Sequence, residues 1–285
     1  MLVGAHVSVA HGYIAALDYV ESVGGECMQL FAKSPRQWRG PAIDASAAAA
    51  FTEERRARGF GPVFTHTAYL INLGTDDPEL LERSITALAD ELTRSVLLGA
   101  KGVVTHIGND PLGDPVQAAR RVGNGIARAY EIAGEAGADA RLLLENTAGA
   151  GRSFGSTFGQ LGGCISATGF ASERLGICLD TCHAFAFGMP LDSADGWAQV
   201  ISAIDSTCGL DRLGLIHAND CLFERGSRRD RHAWIADGFI GEQGFRAMMC
   251  SPELRDVEVC LEMPGEIPDK DTVNIQRLKA YRSEC

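Results

Sequence analysis

Eight short apolar runs recur along this chain, each about one strand and one helix from the next, and that recurrence limits its folds more than any other feature. They are 2–8 (LVGAHVS), 27–31 (CMQLF), 61–67 (GPVFTHT), 101–108 (KGVVTHIG), 141–147 (RLLLENT), 176–183 (GICLDTCH), 212–220 (RLGLIHAND) and 257–263 (VEVCLEM). Continuous Val, Ile and Leu without polar alternation suits strands covered on both faces, as in a parallel sheet. The stretches between them carry helical periodicity. Residues 77–102 and 114–138 each open on Asp-Pro, space their apolar residues three and four apart, and close near a glycine, which predicts capped helices. No linker, low-complexity tract or break in composition divides the chain. Eight strand–helix units in about 250 residues predict an α/β fold, a (β/α)8 TIM barrel, as a single domain over 1–285. A doubly wound open sheet is the alternative, but its switch point would gather ligands from fewer strands.

The ends of these runs carry the chemistry. Six of the eight end in His66, His106, Glu145, Asp180, His217 and Glu262, at intervals of 40, 39, 35, 37 and 45 residues. In a barrel such ends converge on the C-terminal rim, where active sites sit. A lone histidine or glutamate at a strand end is ordinarily bonded to a loop backbone. Six in register would instead crowd carboxylates and imidazoles together at a large desolvation cost, which a cation removes. The mixed set suits Zn²⁺ or Mn²⁺ better than Ca²⁺. His183 follows Asp180 by three residues, and Asp230 and His232 stand two apart in GSRRDRH. In an extended segment that spacing turns Asp230 and His232 to one side and Arg231 to the other. Nine ligands exceed what one zinc takes. Three metals with three or four ligands each fit if one carboxylate is shared, and closely spaced metals suit phosphoryl transfer.

With those residues in place, the chain resembles the endonuclease IV family, the zinc-dependent apurinic/apyrimidinic endonucleases. The resemblance runs from GAHVS through RQW, HTAYLINLG, THIG, LLLENTAGAG, CLDTCHAFAFG, LIHANDC, GSRRDRH and CLEMPGE, nearly the whole chain. It implies three Zn²⁺, with Mn²⁺ a possible substitute. One would be held by His66, His106 and Glu145, a second by the shared Glu145 with Asp180, His217 and Glu262, and a third by His183, Asp230 and His232. The implied reaction is hydrolysis of the phosphodiester 5′ to an abasic site in duplex DNA, leaving a 3′-hydroxyl and a 5′-deoxyribose phosphate, with 3′ blocking groups as further substrates. Glu145 would be the central catalytic carboxylate. Arg36 and Tyr69 match the family's DNA-binding residues, which enter the duplex and hold the lesion out of the stack. Flipping costs less where no base is stacked. The sequence departs from the family at Met263, where threonine is usual, and in AWIADGFIG (233–241), where Phe239 replaces a small or polar residue. The competing reading is a divalent-metal sugar isomerase or epimerase of the xylose-isomerase-like barrel class. That enzyme would need Glu145, Asp180, His217 and Glu262 but not the other five ligands.

Charge and cysteine content bound the setting. The net charge is -11, an unusual balance for a protein that meets a polyanion. Three Zn²⁺ would bring -11 to -5, with the whole correction at the rim. Arg36, Arg152, Arg225, Arg228, Arg229 and Arg231 fall in segments expected at that rim, so a locally positive face on an acidic body is compatible with DNA. The nine cysteines are scattered, several within apolar runs, and read as buried thiols in a reducing, cytoplasmic compartment. Cys178 and Cys182 belong to this group rather than to a zinc knuckle. The start lacks a basic, apolar leader pattern, and no run is long enough to span a bilayer. AGAGRSFGS (148–156) lacks the Gly-Lys-Ser/Thr ending of a phosphate loop. His6 is open between orienting a ligand and filling the core, and His11 reads as ordinary. A monomer without protein partners is expected.

Overall fold

Parallel pairing closes the sheet on itself in a computed structural model that describes residues 1–263 and 266–285. The barrel strands are β1 (Val3–Val7), β2 (Cys27–Phe31), β3 (Val63–His66), β4 (Gly102–Thr105), β5 (Leu142–Glu145), β6 (Leu175–Asp180), β7 (Leu213–His217) and β10 (Glu258–Leu261), and β10 pairs back onto β1. The two intervening strands, β8 (Asp220–Cys221) and β9 (His232–Ala233), form a separate antiparallel hairpin. The expected (β/α)8 barrel is the observed fold. Pro264 and Gly265 of the CLEMPGE segment lie outside the described residues.

Side chains alternate along a strand, and here the alternation separates core from chemistry. Cys27, Phe64, Val104, Leu143, Cys178, Leu215 and Cys260, from seven different strands, form one buried apolar cluster inside the barrel. Two positions further along, each strand presents a polar residue to the same interior: Gln29, His66, His106, Glu145, Asp180, His217 and Glu262. On β1 the corresponding residues are Gly4 and His6. A Cβ at Gly4 would fall 1.7 Å from the Cys27 carbonyl oxygen, so the β1–β2 seam closes only over a glycine. Burial of the apolar layer on both sides drives the assembly.

The helices between strands include α1 (Tyr13–Ser22), α2 (Ala45–Ala57), α5 (Phe158–Thr168) and α7 (Ala194–Thr207), and the two whose starts the sequence predicts begin at their caps. Asp77 accepts the N–H groups of Glu79 and Leu80 ahead of α3 (Pro78–Leu97), and Asp114 those of Val116 and Gln117 ahead of α4 (Pro115–Ala133). The structure redraws two of the apolar runs. The 176–183 run stops being strand at Asp180, whose Oδ1 accepts the His183 N–H at 2.7 Å and caps α6 (Thr181–Phe187). His183 therefore rides on a helix at the rim. The 212–220 run ends as barrel strand at His217 and restarts at Asp220 in the hairpin. That hairpin leads to α8 (Gly241–Cys250), and α9 (Pro268–Ser283) follows β10.

The cysteine reading needs one correction. Seven cysteines are free and buried, Cys178 and Cys182 among them. Cys250 and Cys285 instead form a disulfide with a Cα separation of 5.3 Å. Both are solvent-exposed, and they meet because α8 packs against α9, a contact that neighbouring sequence does not reveal. Among the described residues, no helix is long and apolar enough to cross a membrane.

Candidate metal centre

Four histidines at the rim have their outer ring nitrogen tied to an oxygen acceptor. His66 Nδ1 donates to Thr67 O at 2.8 Å, His183 Nδ1 to Asn146 O at 2.9 Å, and His232 Nδ1 to Glu262 O at 2.7 Å. His217 Nε2 donates to Gln29 Oε1 at 2.9 Å. Each bond holds its ring so that the other nitrogen points inward at carboxylates, where a cation can displace any proton it carries. That arrangement is the usual one for metal-ligating histidines.

Those inward nitrogens and the carboxylates fall into three groups, the first two sharing Glu145, each with its ligand atoms within 4.8 Å of one another: His66, His106, Glu145; Glu145, Asp180, His217, Glu262; and His183, Asp230, His232. Two donors bound to one tetrahedral zinc at its ordinary bond lengths lie about 3.3 Å apart. In the first group Glu145 Oε2 is 3.1 Å from His66 Nε2 and 3.3 Å from His106 Nδ1. In the second, His217 Nδ1 is 3.1 Å from Glu145 Oε1 and 3.0 Å from Glu262 Oε2. In the third, Asp230 reaches His183 Nε2 and His232 Nε2 at 3.3 Å each. His106 Nδ1 and His232 Nε2 are buried without a hydrogen-bond partner. Buried polar atoms are normally satisfied, and a divalent cation would satisfy both. The donor set therefore fits metal ions in its spacing, ring orientations and two orphaned nitrogens.

The electrostatics agree. Burial alone would lower the His183 and His217 pKa values, yet the surrounding acids, with Cys178 beside His217, hold both well above the usual range. His232 is held at about 9 by Asp180 and Asp230 against the same burial. Burial pushes His106 down to about 4, so its ring is a neutral donor at ordinary pH. Burial would raise Glu145, but His106 and His217 pull it well below the carboxylate range. The field at this rim attracts cations. Cys182 also comes within 4.8 Å of Asp180 and His232 ligand atoms, but its hydrogen bond to Cys221 and its burial push its pKa far up, so it stays a thiol.

Three side chains that sequence reasoning did not single out hold the ligands in place. Gln29 Nε2 lies 2.6 Å from Glu262 Oε1 and 2.9 Å from His6 Nδ1, while its oxygen takes the His217 proton. Asn146 brackets the Asp180 backbone, accepting its N–H at 2.7 Å and donating to its carbonyl at 3.0 Å. Asn219 donates to Asp180 Oδ2 at 2.6 Å and accepts the Glu262 N–H at 2.8 Å. The only signal was position: Gln29 stands two past Cys27, where β3 carries His66 two past Phe64. His6 shares the Gln29–Glu262 network, and His11 is exposed.

The cluster forms the floor of a cleft of about 940 Å³ that extends along the β1 and β2 loops. Tyr69 stands 59% exposed on its wall, its ring 5.9 Å from that of His66 and 6.4 Å from that of His106. Arg36 is exposed beside the cleft on the β2 loop, directly after Pro35 of the lining. Arg225, Arg228, Arg229 and Arg231 are exposed on the loop joining β8 to β9. Arg229 stacks 3.4 Å over Phe223, Arg228 lies 5.8 Å over Phe187, and Arg225 is 3.5 Å from Asp192. Arg152 is tied to the Pro111 carbonyl. Phe239, in the atypical 233–241 segment, is 53% exposed.

A family model described as a xylose isomerase-like TIM barrel matches residues 17–283. A probable endonuclease 4 of Methanoculleus marisnigri is 41% identical, over 98% of this chain and 98% of its own. The crystal structure of endonuclease IV from Thermus thermophilus superposes with a TM-score of 0.88 at 37% identity, covering 100% of both chains. A D-tagatose 3-epimerase-like protein superposes with a TM-score of 0.74 at 17% identity, covering 100% of this chain and 98% of its own, which shows the shared fold alone.

Proposed function

Because the chain belongs to the endonuclease IV family of xylose isomerase-like TIM barrels, we propose that it cuts duplex DNA on the 5′ side of abasic sites with three metal ions, zinc in the first instance. It is an enzyme, a DNA-repair hydrolase of phosphodiester bonds. The observation that carries the three-metal reading is the donor set itself: nine candidate ligands in three groups, two of them joined by Glu145 and the third separate. A sugar epimerase on this fold has no use for His66, His106, His183, Asp230 and His232.

When bound, metals at such a site supply Lewis-acid charge and an activated water. The chain's own residues do the rest. Glu145 keeps the first two groups in register through its two oxygens. Asp180 is fixed by Asn146 and Asn219, and Glu262 by Gln29 and Asn219, so the donors are set before substrate arrives. Asp230 and His232 reach the site from the β8–β9 hairpin, and the intervening Arg231 stays in solvent. Tyr69 and Arg36 border the cleft mouth, positioned to fill the gap left by a flipped-out nucleotide. Arg228 and Arg229 are exposed on the loop that carries Asp230, and a phosphate backbone running past the cleft would meet them there.

The decisive experiment uses a duplex with one tetrahydrofuran abasic analogue, which cannot undergo β-elimination. Metal-loaded protein should cut it hydrolytically on its 5′ side, leaving a 3′-hydroxyl, and should bind about three zinc ions per chain. An intact strand would refute the activity, and one metal per chain would refute the three-metal reading.

A further inference from the structure

Outside the ligand set, Lys33 has a side chain with 0% exposure. Lysine is almost never buried so completely unless paired. Its Nζ lies 2.8 Å from Asp90 Oδ2 and 3.3 Å from Glu91 Oε1, consecutive acids on α3. Glu91 is 1% exposed. A buried ion pair of this kind adds little net stability over apolar side chains of similar volume, so its structural consequence lies in what it ties together.

It ties two loops. Lys33 belongs to the loop between β2 and α2 (Ala45–Ala57), which carries Arg36. Glu91 Oε1 also accepts the N–H of Ala68 at 3.2 Å, in the loop between β3 and α3 that carries Tyr69. The second Glu91 oxygen is buried without a partner, so this carboxylate is committed to the two loops. One helical turn on, Arg94 donates to Asp90 Oδ2 at 2.8 Å and to the Gly40 carbonyl at 3.3 Å. It thereby grips the far end of the first loop. The loops are also bonded directly, Tyr69 N–H to Pro35 O at 3.1 Å. Arg36 follows the acceptor residue of that bond, and Tyr69 is its donor.

We propose that Lys33 and Glu91, with Asp90 and Arg94 alongside, form a latch on α3 that sets Arg36 and Tyr69 at a fixed separation, making them positioning residues for the grip on abasic duplex. This rests on the reading of Arg36 and Tyr69 as DNA contacts. A latch of this kind acts on substrate binding alone. Its loss should raise KM and leave the hydrolytic centre untouched.

The test is the double variant Lys33→Met/Glu91→Leu, which removes both buried charges together and avoids stranding either one. Its melting temperature should fall by about a few degrees at most, because only the Ala68 N–H is left without its partner. Amide exchange at Ala68, freed from its acceptor, should quicken about tenfold or more. KM for tetrahydrofuran-duplex incision should rise about tenfold to a hundredfold, with kcat, bound metal and hydrolysis of bis(p-nitrophenyl) phosphate all within about twofold of the parent. The milder Arg94→Gln, which releases only the Gly40 end, should raise KM about threefold by the same logic. Unchanged KM in both variants overturns the latch. So does a parallel fall in small-diester hydrolysis or metal content, which would place these residues at the metal centre. If the parent protein leaves abasic duplex uncut, the DNA reading fails instead; the Ala68 exchange rate then still decides whether the latch exists, and an unaltered rate overturns it.

Discussion

Glu145 meets four imidazoles at once: His66 at 3.1 Å, His106 at 3.3 Å, His217 at 3.1 Å and His183 at 3.5 Å. Glu145→Gln keeps the shape and removes the charge that two ligand groups share. Incision should fall at least about 100-fold, since even the supports of metal ligands are commonly worth 10–100-fold, and metal content should drop with it. Full activity with full metal occupancy would show that Glu145 bridges nothing. Gln29 tests the layer behind the ligands. Gln29→Leu leaves His217 without its acceptor and Glu262 without its amide, so metal affinity in chelator competition should weaken about 10–100-fold. Excess metal should restore much of the activity. Unaltered affinity would mean that the barrel walls alone orient His217. At this scale the sequence was informative about the ligands because each is a distinctive residue type. It was silent about Gln29, Asn146 and Asn219, because an amide's role lies entirely in what it faces.

Among elements, the β8–β9 hairpin depends most on one residue. Asp220 is fully buried and accepts the N–H groups of Cys221 at 2.7 Å, Ile240 at 2.9 Å and Gly238 at 3.0 Å. It closes the segment that delivers Asp230 and His232 and links it to the start of α8. Asp220→Ala strands those donors, and at about 1–3 kcal/mol for each unsatisfied buried group the variant should lose at least about 3 kcal/mol in denaturant unfolding. A midpoint within error of the parent's would show that the hairpin closes without it. Helices α3 and α4 were readable in advance because Asp-Pro and a 3.6-residue period are local signals. The hairpin was not, since two-residue strands have no period and His232 pairs with Cys221 across a ten-residue excursion.

For the molecule as a whole, closure of the barrel brings the chain ends together. Glu26, just before β2, accepts the Val3 N–H at 3.0 Å and both Arg282 nitrogens at 2.8 and 3.0 Å, with Lys279 at 3.3 Å. Burial would raise its pKa, but Arg282, the Val3 amide and Lys279 outweigh that and hold it at about 2, against 4.5 for a free carboxylate. A depressed folded pKa contributes stability that is present above 4.5 and lost as pH falls toward 2. The melting temperature should therefore decline across that window, and Glu26→Gln should flatten the decline. An unchanged slope would remove Glu26 from the acid response. Charge also acts at this scale. The chain carries a net -11, which disfavours DNA contact away from the arginine-bearing rim proposed for it. Affinity for abasic duplex should fall with salt along a log–log slope of about -3 to -5, the signature of a few phosphate contacts. Binding indifferent to salt would contradict an arginine-bearing rim.

The sequence by itself determined the barrel and the nine candidate ligands. Buried parallel strands, capped helices and residues of distinctive chemistry leave traces within a few positions of themselves, and their regular spacing makes convergence at one rim a geometric necessity. Only the tertiary structure decided which ring nitrogen each histidine presents and that Gln29 and Asn219 brace the donors. It alone showed that Cys250 pairs with Cys285 and that one buried lysine joins the two loops bearing Arg36 and Tyr69. Each of these is a contact between residues distant in the chain, set by how helices and loops pack once the barrel has closed, and no local pattern encodes it.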